Sequence, residues 1–166
     1  MFNISVTLLR LLSAAWIGAA ALFVITLTAD QTTPDFDSVT RDRIATVEFP
    51  LYYTFGFAVE SASILLAAAA VFSSPRETRR RWMVVAGLLL LATVLMLLDY
   101  IFVYRALQEL ITPPGKARTT DFITLHKWSR HANEVHITIA MIASLVACFP
   151  VRPVTTPDST HSDGSE

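Results

Sequence analysis

The side chains of this chain that could do chemistry sit inside or beside long apolar stretches: Glu60, Asp99, Arg105, His126, Ser129, Arg130, Asn133, Glu134 and His136. A charged side chain near the centre of a membrane helix costs about 2.5 to 3.5 kcal/mol on insertion scales, so it turns inward and takes a partner. Glu60, Asp99 and Glu134, set against Arg105, Arg130 and the histidines, allow several neutralised pairs. Spacing narrows the choice. His126, Ser129, Arg130, Asn133 and Ile137 recur at i, i+3, i+4, i+7 and i+11 and share one helical face, with His136 at its edge. His131 is turned about 140° from His126, toward the interface. Such a constellation can bind or pass a small solute, an ion or a proton. The bland reading is that the same groups only fix helix register, at about 0.6 kcal/mol per interhelical bond.

Metal and redox chemistry find less support. His126, His131 and His136 are five residues apart, which rotates each imidazole by about 140°, so one helix cannot offer all three to one ion. The sequence has no H-E-x-x-H and no C-x-x-C motif, and no histidine precedes His126 to serve as a second axial haem ligand. No catalytic residue and no cofactor are assigned. A haem- or copper-associated membrane oxidoreductase using His126 or His136 stands as the competing reading. A membrane scaffold or homo-oligomer stands as the third, because Gly56, Glu60, Ser63, Ala67 and Ala70 form a stripe that lets helix backbones approach closely.

The elements that must position these groups are apolar runs at about 6–29, 51–73, 82–110 and 122–149, each long enough for a hydrocarbon core of about 30 Å. Hydrophobic residues make up 53% of the chain and charged residues 16%, too few for the polar faces of a soluble bundle. The expectation is an all-α polytopic protein with four spans in one domain, residues 1–150, whose principal partner is the lipid bilayer. The first run could be a secretory signal, but residues 11–27 exceed the usual apolar core of about 7 to 15, so a retained helix is expected. Residues 151–166 are rich in Pro, Ser, Thr and Asp and read as a disordered tail. A net charge of -1 and the lack of a basic stripe with aromatics give no nucleic-acid signal.

The connections set topology and depth. Arg76, Arg79, Arg80 and Arg81 crowd the second connection, whereas residues 30–48 are mainly acidic, so both termini are expected in the cytoplasm and the protein in the cell membrane. Arg105, Lys116, Arg118, Lys127 and Arg130 vote the other way. In the first connection Asp35 or Asp37 can cap a short interfacial helix lined by Val39, Ile44 and Val47, ending before Pro50 starts the second span. The TPPG sequence at 112–115 ends the third span, and the fourth restarts near Thr120. Glu60, ten residues after Pro50, lies about 15 Å along its helix and near the midplane. The tryptophans and tyrosines read as interface-belt or packing residues.

Four segments occur in an order that resembles one family. They are AAWIGAAALFV (14–24), EFPLYYTFG (48–56), LLDYIFVYRAL (97–107) and FITLHKWSRHANEVHI (122–137). The most specific are the aromatic-Pro-x-Tyr start of the second span, Phe49, Pro50 and Tyr52, and the His-x-x-Ser-x-x-x-Asn start of the fourth, His126, Ser129 and Asn133. Together they resemble the transmembrane protein 205-like family of small four-helix proteins, over nearly the whole chain except the tail. The resemblance implies a four-helix membrane domain and names no reaction. More remotely, the chain is similar to copper-resistance membrane domains and four-helix haem-associated oxidases, which rely on histidines in their early helices.

Overall fold

A computed structural model describes residues 2–150 of the chain. The expected tail, with His161, lies outside the described residues. The elements are α1 (Phe2–Thr32), α2 (Ser38–Ser73), α3 (Arg76–Asp99), a π-helical turn (Tyr100–Tyr104), α4 (Arg105–Ile111) and α5 (Thr120–Cys148). The π turn joins α3 to α4 in one continuous third span, so four apolar helices are long enough to cross a membrane. They pack as an antiparallel ring in which α1 meets α2, α2 meets α3, α3 meets α5, and α5 returns to α1. The protein is an all-α, four-helix, multi-pass membrane protein.

Side-chain direction separates an outer apolar face from the core. Ile4, Leu22, Leu65, Phe72, Leu90 and Phe102 all point outward, each more than half exposed. An apolar surface that extensive suits a membrane-spanning bundle, since soluble monomers rarely expose patches above a few hundred Å². Small residues and a few large ones fill the inside. On α1 the buried positions are Val6, Leu9, Ser13, Trp16 and Ala20, an alternation of three and four residues that gives one helical face.

Both ends of the bundle are tied by polar contacts. At the end carrying the N-terminus, Arg10 Nε donates to the Ala147 carbonyl at 2.8 Å. Arg81 Nε donates to Val146 O at 2.9 Å, and its Nη2 donates to Ala147 O at 3.0 Å and also to Phe149 O. The last carbonyls of a helix have no partner within it, and two guanidinium groups supply donors and a charge that suits the negative end of the helix dipole. At the other end Asp37 caps α2 by accepting from the Thr40 amide at 2.7 Å. Hydrogen bonding to Thr40 holds the Asp37 carboxyl below its ordinary pKa.

The first connection departs from expectation. No separate interfacial helix ends at Pro50: α2 begins at Ser38 and runs through the proline. Val47 points outward and is 63% exposed, so it lines no inner face. Pro50 removes one amide donor, a loss membrane helices tolerate when neighbouring packing holds the segment in line. Here Asp42 and Ala45 are buried, and they anchor the first turns of α2 to the rest of the bundle.

The anchor is the third connection. Asp42 is fully buried and accepts from the Gly115 amide at 2.8 Å and from the Arg118 guanidinium. Gly115 has φ +89°, and a Cβ there would lie 2.8 Å from Val39 Cγ2. Glycine is needed for both reasons, since a left-handed conformation costs other residues about 1 to 3 kcal/mol. Gly115→Ala is expected to lower stability by about that amount. Circular dichroism melting in mild detergent checks it, and an unchanged midpoint would mean that Asp42 does not clamp this connection.

Candidate functional site

The polar groups expected to form one cluster separate into two layers. The deeper layer is closed and takes one side chain from each span. Glu60 of α2 is 1% exposed and His136 of α5 is 2% exposed, with Glu60 Oε1 2.8 Å from His136 Nε2. Trp16 Nε1 of α1 donates to the same oxygen at 2.9 Å, and Thr93 Oγ1 of α3 donates to Oε2 at 2.7 Å. Two donors and a ring nitrogen, from three other helices, thus surround the Glu60 carboxyl. Below it lies an apolar layer that includes Leu9, Ala67, Val85 and Ala143.

The second layer is open. Between the Glu60 layer and the first and third connections lies a cavity of about 300 Å³. Aromatic rings make its walls: Phe23 stacks on Tyr52 at 4.3 Å between centroids, and Tyr104 lies 4.8 Å from Tyr53. The floor is polar. Tyr53 Oη donates to Asp99 Oδ2 at 2.5 Å, Ser129 Oγ donates to the same atom at 3.3 Å, and Tyr52 Oη donates to Asn133 Oδ1 at 2.7 Å. Asp99 is 6% exposed, and its Oδ1 is buried without a hydrogen-bond partner. His126, Arg118 and Arg130 line the same cavity.

The π turn explains how Asp99 and Tyr104 reach one cavity. Inward positions on the third span run Trp82, Val85, Leu89, Ala92, Met96 and Asp99 in steps of three and four, and the next is Tyr104, five residues on. The wider turn absorbs one extra residue, so the tyrosine stays in phase with the carboxylate. Without it position 104 would rotate out of the face.

The expected site residues therefore divide. Asp99, His126, Ser129, Arg130 and Asn133 line the cavity. Glu60 and His136 form the closed layer beneath it. Arg105 and Glu134 are exposed and reach neither layer. Glu134 sits instead beside Arg130 at 3.9 Å and His131 at 3.2 Å on the outer face of α5, an exposed ion pair of small energetic weight. The three histidines have separate surroundings: His126 stacks on Phe122 at 5.8 Å, His131 faces Glu134, and His136 faces Glu60. Among the described residues no three His, Cys, Asp or Glu side chains gather as a metal-binding group.

Sequence reasoning missed Trp16, Thr93, Tyr52, Tyr53, Asp42 and Arg118. Trp16, read as a belt or packing residue, is a buried donor in the middle of the bundle. Thr93 carried the clearest missed signal, as the one hydroxyl between Trp82 and Asp99. Asp42 carried none, because an aspartate in an acidic connection reads as solvated. No protein-family model, curated protein or solved structure matches this chain.

Proposed function

We infer that this protein is a non-enzymatic membrane protein whose cavity binds a small solute entering from the side of the first and third connections. The observation that carries the reading is Asp99, a buried carboxyl at the floor of an aromatic-walled cavity with one oxygen unpartnered. Ligand pockets are largely apolar with a few convergent polar groups, and a volume of about 300 Å³ lies at the small end of their range. The closed Glu60 layer serves as the plug beneath, holding the four helices in register.

The arginines at 76, 79, 80 and 81 put the second connection and both termini in the cytoplasm by the positive-inside rule, so the cavity faces outward from the cell membrane. The order of the four segments quoted above supports a transmembrane protein 205-like domain. Gly56, Ser63, Ala67 and Ala70 are buried within the ring, which favours a cavity over a scaffold as the purpose of that stripe.

Cysteine accessibility tests both statements. Ala45 lines the cavity, and Cys148 is removed as Cys148→Ala. A membrane-impermeant methanethiosulfonate is expected to modify Ala45→Cys from outside intact cells, in parallel with Asp35→Cys in the exposed first connection. Modification of both only in inverted vesicles would reverse the orientation. Modification of Asp35→Cys without Ala45→Cys from either side would remove the cavity reading.

A further inference from the structure

Asp99 lacks what other buried carboxylates of this bundle have. The ion pairs among the described residues join Arg118 to Asp42, Arg130 and His131 to Glu134, and His136 to Glu60. None includes Asp99. It accepts from two hydroxyls through Oδ2, while Oδ1 lines no bond at all. A buried acceptor left unpaired costs about 1 to 3 kcal/mol, and more when the group is charged, so the site gains most from a ligand that donates and carries positive charge.

The walls favour the same chemistry. Tyr53 touches Asp99 and lies 4.8 Å from Tyr104, ring to ring, and both line the cavity. Aromatic faces attract a cation within about 6 Å by their quadrupole, and more strongly where water is excluded. Of the positive side chains at the mouth, Arg118 is paired with Asp42 and lies 4.3 Å over the Phe122 ring, and Arg130 is exposed and leans toward Glu134 on the outer face. Among the described residues no basic side chain pairs with the carboxyl at the floor.

We propose that the cavity receives a small organic amine as its ammonium ion, donating to the Asp99 carboxyl with its apolar body held among the Phe23, Tyr52, Tyr53 and Tyr104 rings. This rests on the ligand-binding reading of the cavity given above. The volume of about 300 Å³ suits one ring on a short chain. The Asn133 and Tyr52 pair offers a second polar edge for a hydroxyl on the same molecule.

The test uses Ala45→Cys in the Cys148→Ala background, purified in mild detergent, with alkylation by uncharged N-ethylmaleimide as the readout. Phenethylamine and phenylacetate share a phenyl ring on a short chain but carry opposite charges. Phenethylamine at about ten times its dissociation constant slows alkylation about tenfold, and phenylacetate at the same concentration leaves the rate unchanged. Asp99→Asn keeps the unprotected rate and loses the protection. Protection by phenylacetate, protection by neither compound, or protection by phenethylamine that survives Asp99→Asn would each overturn the amine assignment. If the thiol reacts with N-ethylmaleimide only after the protein is unfolded in dodecyl sulfate, the cavity is closed and the binding reading itself fails.

Discussion

Glu60→Ala is expected to lower the unfolding free energy by about 3 to 5 kcal/mol, since each buried polar group left without a partner costs about 1 to 3 kcal/mol. The loss is large because the carboxyl has three polar partners. Alanine strands the Trp16 indole N–H, the His136 ring nitrogen and the Thr93 hydroxyl in a layer where water does not replace them. Thr93 alone has an alternative, since its hydroxyl also reaches Leu89 O at 2.9 Å. Glu60→Gln separates shape from charge. Its amide oxygen still accepts from Trp16 and His136, and its amide nitrogen donates to Thr93 Oγ1, which turns its own proton to Leu89. Glutamine is therefore expected to lose about 1 kcal/mol, the scale of a single hydrogen bond. Reversible unfolding in mixed mild detergent and dodecyl sulfate, followed by circular dichroism, measures both. If alanine proved as stable as the parent, or glutamine as damaging as alanine, the layer would not be the pin that joins the four spans.

Gly56→Ala is expected to destabilise by about 1 to 3 kcal/mol, although alanine is the better helix former by about 1 kcal/mol. A Cβ at this position would lie 2.5 Å from Trp16 Cη2 and 3.0 Å from Cζ2, with Met96 Cε closer still. The methionine can swing aside because its end is flexible. The indole cannot, because its Nε1 is bonded to Glu60 and its ring packs 5.3 Å from Tyr52. Moving Trp16 to admit one methyl group therefore disturbs the Glu60 layer and the cavity wall together. Gly18→Ala is the internal control, since nothing lies within 4 Å of its added carbon. It is expected to be neutral or to gain up to about 1 kcal/mol from helix propensity. Equal melting points for the two variants would show that Gly56 is not a close-approach position, and Gly56→Leu, with three further carbons to house, should then fold normally as well.

Together the two variants probe the parts of the molecule that sequence reads well and badly. Gly56, Glu60, Ser63, Ala67 and Ala70 were legible as one stripe, and all five are buried. Their legibility comes from helical periodicity, which depends only on spacing along one helix. The partners of that stripe were not legible. That Glu60 meets His136 rather than an arginine, and that Trp16 completes the layer, depends on which faces of α1 and α5 turn inward at that depth. The same limit applied to Asp99, whose partners Tyr53 and Ser129 come from two other spans.

Sequence by itself determined the helix count, the apolar spans, the break at 112–115, a cap at Asp35 or Asp37 and the shared face of Ser129 and Asn133. Each follows from local chemistry: the length needed to cross hydrocarbon, the missing donor of proline, and the period of the helix. The tertiary structure alone decided that α2 continues through Pro50, that the third span widens into a π turn, and that the polar residues part into a closed layer and an open cavity. Pro50 is overridden by Asp42, which bonds to residues more than 70 positions away. The π turn is the adjustment that keeps Tyr104 on the face already fixed by Asp99. These outcomes are set by contacts between helices, where one rotation of a span exchanges every partner it has, and no pattern within a single span records them.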